Sequence, residues 1–279
     1  MKFGNAFLRL LVILVLVLSS FEAAPVRAEE PSQVQAMLQE MTAEEKIGQL
    51  FLVTFNGTDL RADTPIYDLI TERHIGGVIL LAENNNFSSD DTAAQTRDLT
   101  ESLQRIAWES SSNVIEVEDT GSTTAPAYVP LLIGTRQLGN GYTGDEILRG
   151  LTQLPSQMAI GASWDLDLAY QSGEVLGSEL NNLGINLYLG PNLDVLENAS
   201  SEYSSALGVN TYGGDPFWVG EMGKSFISGV HTGSENRMLV VAQNFPGTGN
   251  SDRSPEFEVA TVRKSLEQLK QIELAPYFT

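Results

Sequence analysis

The groups in this chain best placed to do acid–base work lie around one stretch, Val241-Ala242-Gln243-Asn244-Phe245-Pro246-Gly247-Thr248-Gly249-Asn250. It reads as a buried strand running into a Gly/Pro turn, the place where an α/β barrel displays its chemistry. The side chains at its tip are the amides of Gln243 and Asn244 and the hydroxyl of Thr248, none of which is an acid, base or nucleophile near neutral pH without help. Just beyond it, Asp252-Arg253-Ser254-Pro255-Glu256-Phe257-Glu258 carries the sharpest candidate, Glu256. A glutamate acts as a general acid where a dry pocket or a neighbouring carboxylate raises its pKa. A solvated acidic loop explains the same residues more simply in a chain with 36 acids, and more simply still for Asp252 and Glu258.

Two further charges stand at turns. Asp194, in Gly190-Pro191-Asn192-Leu193-Asp194-Val195, follows a predicted strand. Such a carboxylate either touches ligand at a barrel mouth or accepts backbone N–H bonds in the turn, and the second is the commoner use. Arg136 could bind an anionic ligand, but a salt bridge on an acidic surface is the more frequent role. Trp164 and Trp218 could stack on a flat ligand face, although packing is the safer reading for Trp218 in a helix first turn. His74 and His231 are the two histidines and have no metal-ligand spacing. They fall near helix ends, where a cationic imidazole is favourable. Without cysteine, disulfides, thiolate metal sites and thiol nucleophiles are excluded. No metal and no cofactor are expected.

The net charge of −20 argues against nucleic acid or an anionic membrane as partner. Lys2 and Arg9 flank an apolar run, Leu10 to Leu18, too short to span a bilayer, and small residues lead to Val26-Arg27-Ala28. This predicts a signal peptide over 1–28 and an exported mature chain from Glu29, with one domain over 29–279, no transmembrane span and a monomeric state.

The elements that must position these groups alternate. Helices are expected over Ser32–Glu40, after a capping box at Thr42-Ala43-Glu44-Glu45, and over Ile66–Arg73, Thr92–Trp108, Leu166–Leu183, Pro216–His231 and Lys264–Leu274. Strands are expected over Ile47–Phe55, Gly76–Leu81, Pro130–Gly134, Ile185–Leu189 and Met238–Ala242, with Ser110–Ala127 an exposed loop. Such alternation predicts an α/β fold with a parallel sheet covered on both faces. The expected architecture is a (β/α)8 TIM-barrel-like domain, incomplete, with five to six βα units.

Eight segments, in order, then carry a resemblance: MTAEEKIGQLFLVTF, IGGVILL, VPLLIG, LPSQMAIGAS, LGINLYLGPNLDV, YGGDP, NFPGTG and VRKSLEQLKQIELAPYF. Together the chain resembles the N-terminal domain of glycoside hydrolase family 3, in its bacterial β-N-acetylhexosaminidase branch. The resemblance implies a barrel-like domain that hydrolyses β-linked N-acetylhexosamine glycans or cell-wall fragments with retention, using a carboxylate nucleophile and an acid/base about 5–5.5 Å apart.

It also implies a split among positions. Gly76, Gly77, Pro155, Gly184, Pro191, Asp194, Gly213, Asp215, Pro216, Phe245, Pro246, Gly247 and Gly249 match the family's scaffold. The sugar-handling positions do not. Arg136 stands for a sugar-binding Asp, Asn210 for an Arg, Gln243-Asn244 for a Lys-His pair, and Ser254-Pro255-Glu256 for the Asp-x-His acid/base dyad. The nucleophile's strand is not within the sequence. The expectation is a family 3 glycosidase-type chain with impaired catalysis; the alternative is a carbohydrate- or cell-wall-binding module on the same scaffold.

Overall fold

The computed structural model describes residues 32–87, 92–112, 115–117, 122–124, 126–141, 145–197, 207–249, 251, 259 and 261–279. The expected signal peptide lies outside them. Helix α1 (Gln33–Glu40) belongs to a unit that ends at Glu40; Met41–Thr279 forms the second unit.

That second unit opens on the expected capping box. Thr42 Oγ1 accepts from Glu45 N at 3.2 Å and Glu45 Oε2 accepts from Thr42 N at 2.6 Å. The box starts α2 (Ala43–Gly48), and β1 is therefore only Leu52–Val53. The strand expected over Ile47–Phe55 is corrected accordingly. An unbroken apolar run does not distinguish helix from strand, and the cap decides for helix. Leu50 is 81% exposed, so the run is not buried either.

The remaining elements follow the predicted order with ends shifted by a few residues: α3 (Pro65–Thr71), β2 (Gly77–Ile79), α4 (Thr92–Ser111), β5 (Leu132–Thr135), α6 (Leu166–Asn182), β6 (Leu187–Asn192), α7 (Pro216–Gly233), β7 (Leu239–Gln243) and α8 (Leu266–Gln271). Within the expected loop 110–127 lies an antiparallel hairpin, β3 (Ile115–Val117) with β4 (Ser122–Thr124). A further helix, α5 (Gln157–Ser163), is capped by the Ser156 hydroxyl.

Strands β1, β2, β5, β6 and β7 form one parallel sheet in that order. Each strand pairs with the next one to enter the sheet, as in a barrel, so the five strands make an incomplete TIM-barrel-like arc. Helices cover one face through two clusters. Ile66 and Ile70 of α3 and Leu99 and Leu103 of α4 pack on Val78 and Ile133. Leu176 and Leu180 of α6 and Met222 and Phe226 of α7 pack on Tyr188.

The other face carries Leu187, Leu239 and Val241. Leu187 is buried, but Leu239 is 56% and Val241 50% exposed. The expectation of a sheet covered on both faces thus fails at the β7 edge, where Val240 and Ala242 pack on the helices and their alternating neighbours do not.

Helices α6 and α7 run side by side at glycine-to-backbone distance. A Cβ on Gly173 would stand 2.0 Å from the Phe226 carbonyl oxygen, and one on Gly229 would stand 2.0 Å from that of Tyr170. Neither backbone carbonyl can move aside as a side-chain end could. Gly173→Ala and Gly229→Ala should each destabilise the protein by about 2 kcal/mol or more, read by urea unfolding; unchanged midpoints would show that the helices separate freely.

Candidate functional site

The carboxyl ends of β5, β6 and β7 bring most of the sequence-predicted residues to one side of the sheet. Arg136 directly follows β5. Its Nη2 donates to Glu146 Oε1 at 3.1 Å, and Glu146 Oε2 accepts from Ala82 N at 2.6 Å. Glu146 is 6% exposed and Arg136 45%. The cation is therefore tied to a half-closed ion pair, the salt-bridge role expected as the commoner one.

The loop between them is clipped internally. Asp145 accepts the backbone N–H groups of Leu138, Gly139 and Gly141, the last two at 2.9 and 2.7 Å. The buried Gln137 amide both donates to the Ile147 carbonyl and accepts from Ile147 N, each at 2.9 Å. At its far end Asn140 Nδ2 donates to Asn210 Oδ1 at 3.3 Å.

Asp194 is the centre of the arrangement. It lies just past β6 and is 0% exposed. A charge removed from water must be met by donors, and here the donors come from the turn after β7. Asn244 Nδ2 reaches Asp194 Oδ2 at 2.5 Å, Thr248 N reaches Oδ1 at 2.5 Å, and Thr248 Oγ1 lies 3.1 Å from Oδ2. Asn244 holds its place at φ 70°, in the left-handed region that asparagine tolerates better than most residues. Burial raises the Asp194 pKa above its ordinary value, while the bonds from Thr248, Asn244 and Asn192 pull it back.

Beneath the same turn lies a group that sequence reading missed. Lys264 Nζ, 5% exposed, bridges Glu197 Oε2 at 2.5 Å and Glu273 Oε1 at 2.8 Å. Glu273 is fully enclosed. Burial raises its pKa first of all; Lys264 opposes the rise, and the negative charges of Asp194 and Glu197 add to it. Gly247, at φ 132°, has no room for a side chain, because a Cβ would stand 2.5 Å from Glu273 Oε2. Tyr277 OH donates to the Gln243 carbonyl at 2.6 Å and closes the group against β7. The only sequence signal for this tether was the segment VRKSLEQLKQIELAPYF, whose lysine and glutamate gave no sign of pairing.

The structure thus brings Asp194 and Asn244 into contact and pairs Asn210 with Asn140. It binds Arg136 to Glu146 instead of to either, and it places Gln243 at the end of β7. Glu256, Asp252 and Glu258 lie outside the described residues. Glu273 feels the Asp194 charge, yet both carboxyl groups are buried. Asp194 is bound to Asn244 and Thr248, and Glu273 is bound through Oε1 to Lys264 with its Oε2 unpartnered among the described residues, so they do not form an acid and nucleophile facing a substrate. Besides the part-exposed, paired Arg136, the described strand-tip surface offers a ligand neutral amides: the exposed Asn244 and the half-buried Gln243 and Asn210. Among the described residues no group of three or more His, Asp or Glu is placed to hold a metal ion, and no helix is long and apolar enough to cross a membrane.

Comparison with known proteins agrees with this scaffold. Residues 42–279 match the glycosyl hydrolase family 3 N-terminal domain. The chain belongs to that family. It is 26% identical over 237 residues to a beta-N-acetylglucosaminidase/beta-glucosidase of Cellulomonas fimi, covering 84% of this chain and 35% of that protein. A beta-hexosaminidase of Xylella fastidiosa is 24% identical over 209 residues, 73% of this chain and 57% of its own length. Among solved structures, the family 3 beta-N-acetylglucosaminidase from Paenibacillus sp. superposes with a TM-score of 0.69 at 33% identity, over 85% of this chain and 39% of that one. The family 3 domain here therefore spans about a third to somewhat over half of these relatives.

Removing the acceptor should expose the donors it satisfies. Asp194→Ala leaves the Thr248 amide and the Asn244 side chain without it, and should cost about 2–4 kcal/mol in urea unfolding. The pH dependence has a definite sign. A carboxyl whose pKa is raised by folding contributes stability that is full below its unfolded value, about 3.9, and is lost as pH rises through the higher folded value. The stability of the wild type relative to Asp194→Asn, which cannot titrate, should decline with rising pH across that window. A difference that is flat or rises with pH would contradict the burial.

Proposed function

We propose that this chain is a β-N-acetylhexosaminidase-type scaffold that engages N-acetylhexosamine-containing glycans or cell-wall fragments at the strand tips, with hydrolysis impaired. The observation that carries this reading is the use to which the charged groups at the strand tips are put. Arg136 is paired with Glu146 and Asp194 is taken up by Asn244 and Thr248, so neither is presented to a substrate as a reagent. Retaining hydrolysis asks for two carboxyl groups flanking the scissile bond. Neutral amides in their place can accept and donate to hydroxyl and acetamido groups but cannot move a proton at the required pKa. The names of the relatives, a beta-N-acetylglucosaminidase and a beta-hexosaminidase, support N-acetylhexosamine as the sugar class.

A non-catalytic carbohydrate-binding role is the second reading, and the neutral surface of Gln243, Asn244 and Asn210 favours it. Export to the cell envelope or exterior, based on the basic and apolar N-terminus, would put either role beside its glycan.

Release of nitrophenol from an aryl β-N-acetylglucosaminide by the purified chain tests the proposal. Loss of the acid/base alone costs a factor of about 10²–10⁴, so turnover should be at background and unaffected by Glu256→Gln. Turnover that disappears in Glu256→Gln would overturn the impaired reading and make Glu256 the acid/base.

A further inference from the structure

Two tryptophans outside the strand-tip cluster form a built surface feature. Trp164 is the C-terminal cap of α5 and Trp218 lies in the first turn of α7. Their rings stack with centroids 4.9 Å apart and planes inclined by 30°. One carbonyl anchors both residues: the Gly161 oxygen accepts from Trp164 N at 3.3 Å and from Trp218 Nε1 at 3.4 Å. A Cβ on Gly161 would stand 1.9 Å from the Tyr212 carbonyl oxygen, so this anchor is wedged against the loop that also carries Asn210.

Trp164 sits at φ 56°, a left-handed conformation that is unusual for a bulky residue and costs of order 1–3 kcal/mol unless its surroundings enforce it. For all that, the ring is not buried: Trp164 remains 67% exposed, and Phe217 beside Trp218 is 65% exposed. Aromatic surface held rigidly and left in water marks a contact surface.

The surroundings choose among ligands. Asp165 adjoins Trp164 and caps α6; Asp215 caps α7; Asp167 is on the first turn of α6; all three are exposed. Anionic ligands are repelled by these carboxylates. A cation would be attracted by them, but cation recognition is best served by rings closing around the charge, and here the indoles are stacked on each other, which leaves one outward ring face, that of the exposed Trp164. A flat aromatic face bordered by acceptors suits a neutral pyranose, with its C–H face on the ring and its hydroxyls donating to Asp165 and Asp215.

We propose that Trp164, backed by Trp218, is a sugar-stacking platform for neutral N-acetylhexosamine oligomers, an accessory glycan site separate from the strand tips. The sugar class rests on the reading under Proposed function; the platform rests on the tryptophan geometry. Calorimetric titration of the full chain with the N-acetylglucosamine hexamer tests it. Trp164→Ala should weaken binding about tenfold, the scale of one aromatic stack, and Trp164→Phe should recover most of it, which a merely structural loss would not predict. Equal affinity in Trp164→Ala and wild type overturns the platform, as does binding of choline with no binding of the hexamer. If Asn244→Ala weakens binding while Trp164→Ala does not, the platform fails and the strand-tip reading stands. If Trp164→Ala weakens it and Asn244→Ala does not, the platform stands and the strand-tip reading fails. Absence of any hexamer binding overturns both.

Discussion

A buried carboxylate governs the strand-tip end of this molecule. Asp194 is closed from water, and a charge so placed is tolerated only if donors converge on it. Asn244 and Thr248 supply those donors from a turn 50 to 54 residues further along the chain. The requirement joins the end of β6 to the turn after β7 and fixes the direction in which that turn leaves the sheet. Glu273, Lys264 and Tyr277 lock the turn from below, and Gly247 is the residue that lets it come so close. The geometry of the turn is thus set by electrostatics and backbone fit, and catalysis is not needed to account for it.

The functional consequence follows from what those bonds leave over. Among the described residues at the strand tips, Arg136 and Asp194 have protein partners, and Gln243, Asn244 and Asn210 add neutral amides. Neutral amides can hydrogen-bond a sugar, whereas retaining hydrolysis uses two carboxyl groups, and this contrast is what the proposed impairment rests on. From the sequence the same contrast is expected: turn-shaping residues such as Pro216 at the start of α7 and Gly184 after α6 match the family's scaffold, while Arg136, Asn210, Gln243 and Asn244 stand where it handles sugar.

Much of the fold was legible because its signals are local. The Thr42 box and Pro216 at the start of α7 each act within four residues, and the structure places both as read. The run Ile47–Phe55 was misread because apolarity without alternation carries no period, and the preceding cap drew its first two residues into helix and left only Leu52–Val53 as strand. The hairpin β3–β4 was missed because serine, threonine and acidic residues read as loop. At the site, Asp194 was legible as a turn carboxylate, but its donors were not, since nothing local links position 194 to 244 and 248. The Lys264–Glu273 tether was hidden for a related reason: at a separation of nine residues both groups look like ordinary solvated charges. Exposure of Leu239 and Val241 was likewise invisible, because alternation tells that a strand has two faces and not which of them is covered.

A double-mutant cycle on Asp194→Ala and Asn244→Ala, followed by urea unfolding, tests the central claim most directly. The account predicts a coupling of about 1.5–3 kcal/mol, the scale of a hydrogen bond to a charged, buried acceptor. Coupling within about 0.3 kcal/mol of zero would mean that Asn244 does not hold Asp194, and would contradict the assignment of these residues to the scaffold.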